Sequence, residues 1–312
     1  MGAALDKPVT EKTTDAGETA ELQYGASAMQ GWRVDMEDEH TVELAIDGLP
    51  PGHAFFAVYD GHGGAKAAEL AHLGMLDAVK RQPPFARYAS AAAAGEADAA
   101  LLGDALKLAF VELDNALRPQ LRALGDSSGT TAVVVMLTPT HIVCANAGDS
   151  RACYATGGDR VVALSEDHKP CRACERERIE RAGGRVEQGA MGLGPMRVDG
   201  ALAVSRGLGD FEFKANGRLP PHAQKVSPEP EVRAFARAAR DDEFIVIACD
   251  GIWDVFSNEQ CCARLRALLA EGETDLGLVA EELLDQVCAS LGSLRARARS
   301  RRVIALLATA PT

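Results

Sequence analysis

No run of eighteen apolar residues occurs anywhere in this 312-residue sequence, so no conventional membrane-spanning helix is expected. The first thirty residues lack a basic stretch followed by an apolar one, and no secretory signal is expected. Met1 and Gly2 fit the start of a myristoylation pattern, but Asp6 stands where that pattern needs Ser or Thr, and lipidation is not predicted. Positive charge is scarce: 33 Lys and Arg stand against 45 Asp and Glu, a formal net charge of -12. Binding a phosphate backbone needs an excess of Lys and Arg, overall or local, so a general nucleic-acid binder is disfavoured. Any anionic substrate has to be recognised locally. Internal repeats and Pro/Gly/Ser-rich linkers are also missing, which leaves a polar N-terminal arm over residues 1–22 and a single domain over residues 23–312. A monomer is the default expectation.

A disulfide framework is absent too. Of eight cysteines, Cys144 and Cys249 sit in strand-like apolar runs and Cys262 and Cys288 in helix-like ones. These are read as buried free thiols in a reducing compartment, the cytoplasm with the nucleus as an alternative. Cys171 and Cys174 form a CxxC, but no second pair or His stands at zinc-finger spacing and no thioredoxin-like context surrounds them.

What the chain does have is 47% hydrophobic residues, enough for a substantial core. Runs rich in Val, Ile and Phe predict strands over Ala54–Asp60, Thr131–Leu137, His141–Ala147, Val161–Leu164, Phe244–Asp250 and Val303–Thr309. Helical spacing joins Leu102, Leu106, Phe110, Leu113 and Leu117, and again Val279, Leu283, Val287 and Leu291. Adjacent strands separated by paired helices favour a largely antiparallel α+β sandwich with helices outside. The Ala-rich stretch Ala91–Ala100 reads as a surface connection before a helix, and the Gly-rich Gln188–Pro195 as a mobile loop.

Two apolar strands end on carboxylates: FFAVYDGHGG delivers Asp60, Gly61 and His62, and FIVIACDGIWD delivers Asp250 and Asp254. Hard cations such as Mg²⁺ and Mn²⁺ prefer oxygen ligands, and a glycine lets a main-chain carbonyl approach closely. Hydrolysis of a phosphate monoester needs a water nucleophile, neutralised phosphoryl oxygens and a protonated leaving group. Asp60 and Asp250 suit two cations, and His62 suits a general acid. In QGWRVDMEDEH, Arg33 suits a bidentate phosphate clamp, while Glu37 and Asp38 suit contact with water. Each residue has a bland alternative: His62 as a structural histidine, Arg33 and Glu37 as a surface pair, Asp149 in NAGDSR as a turn residue. Their co-occurrence favours the site.

These residues resemble the metal-dependent protein phosphatase 2C family of serine/threonine phosphatases, especially its alpha/beta-like members. The resemblance runs through MQGWRVDMEDEH, FFAVYDGHGG, SGTTAVVV, NAGDSR, EDHKP, ERIERAGGRV, RVDGALAVSRGLGDFEFK, VSPEPEV and ACDGIWDV. It implies a four-layer sandwich of two antiparallel β-sheets flanked by α-helices, acting on phosphoserine or phosphothreonine in proteins. It also implies two Mg²⁺ or Mn²⁺ ions, with Asp60 bridging both, Gly61 serving the second, Asp250 the first and Glu37 acting through water. By the same resemblance Arg33 binds phosphate, His62 is the proposed general acid, Asp38 orders water, and Asp149 and Asp254 belong to a weaker third ion. The segment around Ser205 and Arg206 receives no catalytic role, and Gln188–Pro195 falls where the family has a flap beside the site.

One expected motif is missing. The family carries an Asp-Asn pair before its last strand, whose aspartate is a further ligand of the first metal, whereas this chain has LRARARSRR over Leu294–Arg302. Asp285 is no substitute, because it lies within the preceding amphipathic helix. An impaired phosphatase, a site completed by water or another group, and an altered terminal sequence all stay open. The leading expectation is a metal-dependent phosphatase. A pseudophosphatase that binds phosphoproteins is the alternative, and a metal phosphoesterase acting on small molecules or nucleic acid is a third.

Overall fold

The computed structural model describes residues 4–189, 192, 194–237, 242–290 and 303–309. In chain order, strands β1 (Ala4–Glu18), β2 (Gln23–Arg33), β3 (Glu39–Glu43), β4 (Ala54–Tyr59) and β5 (Gly61–His62) lead to helices α1 (Lys66–Lys80), α2 (Pro83–Ala93) and α3 (Ala99–Leu124). Strands β6 (Gly129–Thr130), β7 (Ala132–Leu137), β8 (His141–Ala147), β9 (Arg151–Thr156) and β10 (Arg160–Ala163) follow. Helix α4 (Ala173–Arg181) precedes β11 (Val186–Gln188), β12 (Met196–Val198), β13 (Leu208–Gly209), β14 (Glu231–Ala236) and β15 (Asp242–Ala248). The remaining elements are α5 (Asp250–Trp253), α6 (Asn258–Ala270), α7 (Leu276–Ser290) and β16 (Val303–Thr309).

Side-chain alternation along the strands builds the layers. A six-stranded sheet in the order β1-β2-β16-β15-β9-β10 faces a five-stranded sheet in the order β14-β8-β7-β4-β3, and every ladder in both is antiparallel. In β4, Ala54, Phe56 and Val58 point into the space between the sheets, where they meet Ile245 and Ile247 of β15 and Tyr154 of β9. The alternate residues Phe55, Ala57 and Tyr59 point outward onto α1 and α3. β15 does the same in mirror image, sending Phe244, Val246 and Ala248 onto α5, α6 and α7. Strands such as β4 and β15 are therefore buried on both faces, and burying each Phe or Ile contributes about 2–3 kcal/mol. The result is the expected four-layer α+β sandwich.

Local signals fix the helices. Asp98 accepts a hydrogen bond from the Ala100 N–H at the start of α3, and Gly125 closes that helix in the left-handed conformation. The stripe Leu102, Leu106, Phe110, Leu113 and Leu117 lies buried on the inner face of α3. Ser257 and Gln260 form a reciprocal capping box on α6. In α7, Val279, Leu283 and Val287 are buried, while Leu291 lies outside the described residues.

Several expectations change in detail. The polar N-terminal segment contains the 15-residue strand β1, paired with β2. Lys12 on β1 reaches Asp285 on α7 at 2.7 Å. The Ala-rich connection is shorter than expected, because α2 runs to Ala93 and α3 begins at Ala99. β15 stops at Ala248, and Asp250 opens the short α5 rather than ending a strand. All eight cysteines are free; Cys144, Cys249 and Cys262 are buried as expected, Cys288 is half-buried, and Cys171 and Cys174 are exposed. No described helix is long and apolar enough to cross a membrane.

Candidate metal centre

Three connections at one end of the sandwich converge. The turn after β4 presents Asp60, the turn after β8 presents Asp149, and the junction of β15 with α5 presents Asp250. Their carboxylate oxygens lie within 4.8 Å of one another, and the three residues are only 3%, 1% and 3% exposed. At that separation each pair of like charges repels by about 3 kcal/mol for an effective dielectric near 20. Such a group of hard oxygen donors fits a hard divalent cation.

One side chain ties two of these turns together. The Thr131 hydroxyl accepts from the Asp60 N–H at 3.2 Å and lies 2.7 Å from the Ser150 hydroxyl, next to Asp149. The Thr131 N–H in turn donates to the Asp60 carbonyl at 3.0 Å. The turn holding Asp149 is set by Asn146, whose amide donates to the carbonyls of Gly148 and Glu166 at 3.2 and 3.0 Å. Lys169 donates to the Asp149 carboxylate. Burial works against the lysine's charge, but Asp149 and Asp250 outweigh it and hold the ammonium well above its ordinary range. Among the described contacts, the Lys169 ammonium is the cation that faces these carboxylates.

The remaining expected residues surround this cluster in different ways. At Gly61 a Cβ would lie 2.2 Å from the main-chain oxygen of Glu37, so no larger residue fits where that segment crosses. The Glu37 side chain accepts from the Gly64 N–H at 2.7 Å, and Asp38 is buried between β2 and β3. Arg33, half-buried at the end of β2, has a guanidinium that forms no ion pair among the described residues. Asp254 is exposed one turn beyond Asp250, where its N–H donates to the Asp250 carbonyl at 2.8 Å, and it is not one of the three clustered carboxylates. Leu294–Arg302, where the terminal Asp-Asn pair is expected, lies outside the described residues, as do residues 190, 191 and 193 of the expected flap.

His62 is held by a residue that sequence reasoning leaves without a role. Its Nε2–H donates to Asp210 Oδ2 at 2.9 Å, and Asp210 is itself 5% exposed. Lys169, Thr131 and Asp210 all lie in motifs visible in the sequence. Their partners are 20, 71 and 148 residues away, a pairing that local spacing does not encode. In the segment around Arg206, Glu175, buried in α4, accepts from Arg206, Arg178 and Ser205.

Comparison with known proteins gives consistent results. The family model described as Protein phosphatase 2C matches residues 22–293. The mouse protein named Protein phosphatase 1B is 43% identical over 298 residues, covering 94% of this chain and 73% of that protein. Human Protein phosphatase 1A is 42% identical with the same coverage. A crystal structure of serine-threonine phosphatase 2C from Toxoplasma gondii superposes with a TM-score of 0.77 over 96% of this chain and 99% of its own. At 22% identity that likeness speaks for the fold.

Proposed function

The chain belongs to the protein phosphatase 2C family, and on that premise we propose that it hydrolyses phosphoserine and phosphothreonine esters in proteins with two Mg²⁺ or Mn²⁺ ions. The observation that carries this reading is the buried group of Asp60, Asp149 and Asp250, whose carboxylate oxygens lie within 4.8 Å of one another. Asp60, Asp250 and the Gly61 carbonyl would hold the two ions, and Asp149 and Asp254 would serve a weaker third. When bound, such ions lower the pKa of water and neutralise charge on phosphoryl oxygens.

The chain's own groups supply the rest. In the overall step a water oxygen bonds to phosphorus while the bond from phosphorus to the serine or threonine oxygen breaks. Arg33 at the rim binds two phosphoryl oxygens through its planar fork. Glu37 and Asp38 order water beside the cluster. His62 donates a proton to the departing oxygen, since an alkoxide is a poor leaving group unless protonated.

A second reading is favoured by one feature, the arginine-rich run in place of the terminal aspartate. A protein lacking that carboxylate binds its cation weakly and acts as a phosphoprotein binder with little turnover. Phosphate release from a phosphothreonine peptide, titrated with Mn²⁺ and Mg²⁺ beside Asp60→Asn, separates the two. Saturable metal-dependent release that vanishes in the variant supports the phosphatase. Peptide binding without release, by folded protein at every metal concentration, supports the binder.

A further inference from the structure

We infer that Asp210 is a positioning residue that fixes the His62 ring for proton delivery, an inference that rests on the acid role proposed for His62. The small sheet β13-β6-β5 places the two residues on either side of Gly129: His62 pairs with Gly129 across one ladder, and Gly209 pairs with it across the other. The His62–Asp210 hydrogen bond of 2.9 Å forms over that glycine. A Cβ on Gly129 would lie 2.1 Å from Asp210 Oδ2, so a side chain there would displace the carboxylate. The SGTT motif thus contributes a gap as well as the Thr131 clamp.

Asp210 is held in place at a cost. Its backbone has φ 50° and ψ 41°, the left-handed region that non-glycine residues rarely adopt. Its N–H donates to the Ser128 carbonyl at 3.2 Å. Beneath it lies a buried ion pair: Asp114 accepts from Lys214 at 2.6 Å and from the Gly209 N–H at 2.9 Å, and Lys214 also donates to the Gly207 carbonyl at 2.8 Å. The side chains of Asp114 and Lys214 are 4% and 1% exposed. A desolvated ion pair is a poor source of stability in itself. Here it fixes the chain at Gly207 and Gly209, on either side of Leu208 and immediately before Asp210.

The test compares a phosphothreonine peptide, whose leaving group needs a proton, with p-nitrophenyl phosphate, whose leaving group does not. Asp210→Asn retains the side-chain shape and a tolerance for the left-handed backbone. The ratio of kcat on the peptide to kcat on p-nitrophenyl phosphate is expected to fall about 10- to 100-fold in Asp210→Asn, the scale of a misplaced acid. KM stays unchanged. Gly129→Ala should give the same fall, and Asp210→Asn combined with His62→Gln should be no worse than His62→Gln alone. An unchanged ratio in folded Asp210→Asn, with both activities falling together, overturns the inference and leaves Asp210 merely structural. If Asp210→Asn does not fold, imidazole ¹⁵N NMR of the unaltered protein decides, since a His62 Nε2 that carries no proton refutes the arrangement. An unchanged ratio in His62→Gln refutes the acid role itself. A lowered ratio in His62→Gln with none in Asp210→Asn refutes only the positioning role.

Discussion

Asp250→Asn should make the metal-free protein more stable while removing its response to metal. Asp250 takes part in two of the three carboxylate pairs, each repelling by about 3 kcal/mol at an effective dielectric near 20. The substitution also forfeits an attraction to Lys169 of similar size. Taken over these four groups alone the gross difference is about 3 kcal/mol, and relaxation of the turns brings their net contribution to the order of 2 kcal/mol. With an unfolding entropy of about 2.1 cal/mol/K per residue over 312 residues, that is a rise in Tm of about 3 °C. Differential scanning calorimetry in EDTA measures it. Mn²⁺ at a hundred times its Kd should add about 2.7 kcal/mol to the unaltered protein and little to the variant, so the order of the two melting points reverses. A variant that melts below the unaltered protein in EDTA would refute the reasoning, because the three carboxylates would then not be in net repulsion.

Arg33→Ala should raise KM for a phosphothreonine peptide about 10- to 100-fold, the equivalent of one or two charge-assisted hydrogen bonds, as read from initial rates. For Glu175, burial alone would raise the carboxyl, but Arg206, Arg178 and the Ser205 hydroxyl hold it down at about 2. Because the folded value lies below the unfolded one, its stabilisation is complete above about pH 4.5 and is lost as the pH falls toward 2. The stability difference between unaltered protein and Glu175→Gln, from urea midpoints, should shrink on the order of 3 kcal/mol across that window. Lys214→Met leaves Asp114 a buried and uncompensated anion, a loss of about 3–5 kcal/mol in urea unfolding, and Asp114→Leu added to it should recover most of that loss.

The architecture is legible in the sequence where one physical signal dominates. β4, β7, β8 and β15 are buried on both faces, β16 is paired on both edges, and all five read as continuous apolar runs. β1 is polar along its length and β14 alternates charged with apolar residues, so neither forms such a run; pairing with β2 and β8 makes them strands. β9, RACYAT, is hidden by small residues whose burial comes from the sheets on either side. In the candidate site the carboxylates Asp60 and Asp250 are legible because each terminates an apolar run. Asp149 shares its tripeptide with ordinary turns, and only the convergence of three loops distinguishes it. Asp210 is the hardest to read, because its partner His62 is 148 residues away and its backbone conformation leaves no trace in composition.

The place of β16 in the larger sheet constrains how this molecule is made. Residues 303–309 leave the ribosome after every other described residue, yet they insert between β2 and β15. Until then the sheet exists as two pieces, and β2 and β15 each present an open edge of unpaired N–H and C=O groups. The nascent chain therefore carries the β2 edge through most of its synthesis and the β15 edge from residue 248 onward, and ladders closed across more than 270 residues are slow to form. Any truncation before residue 303 yields a split sheet whose natural fate is association with another strand.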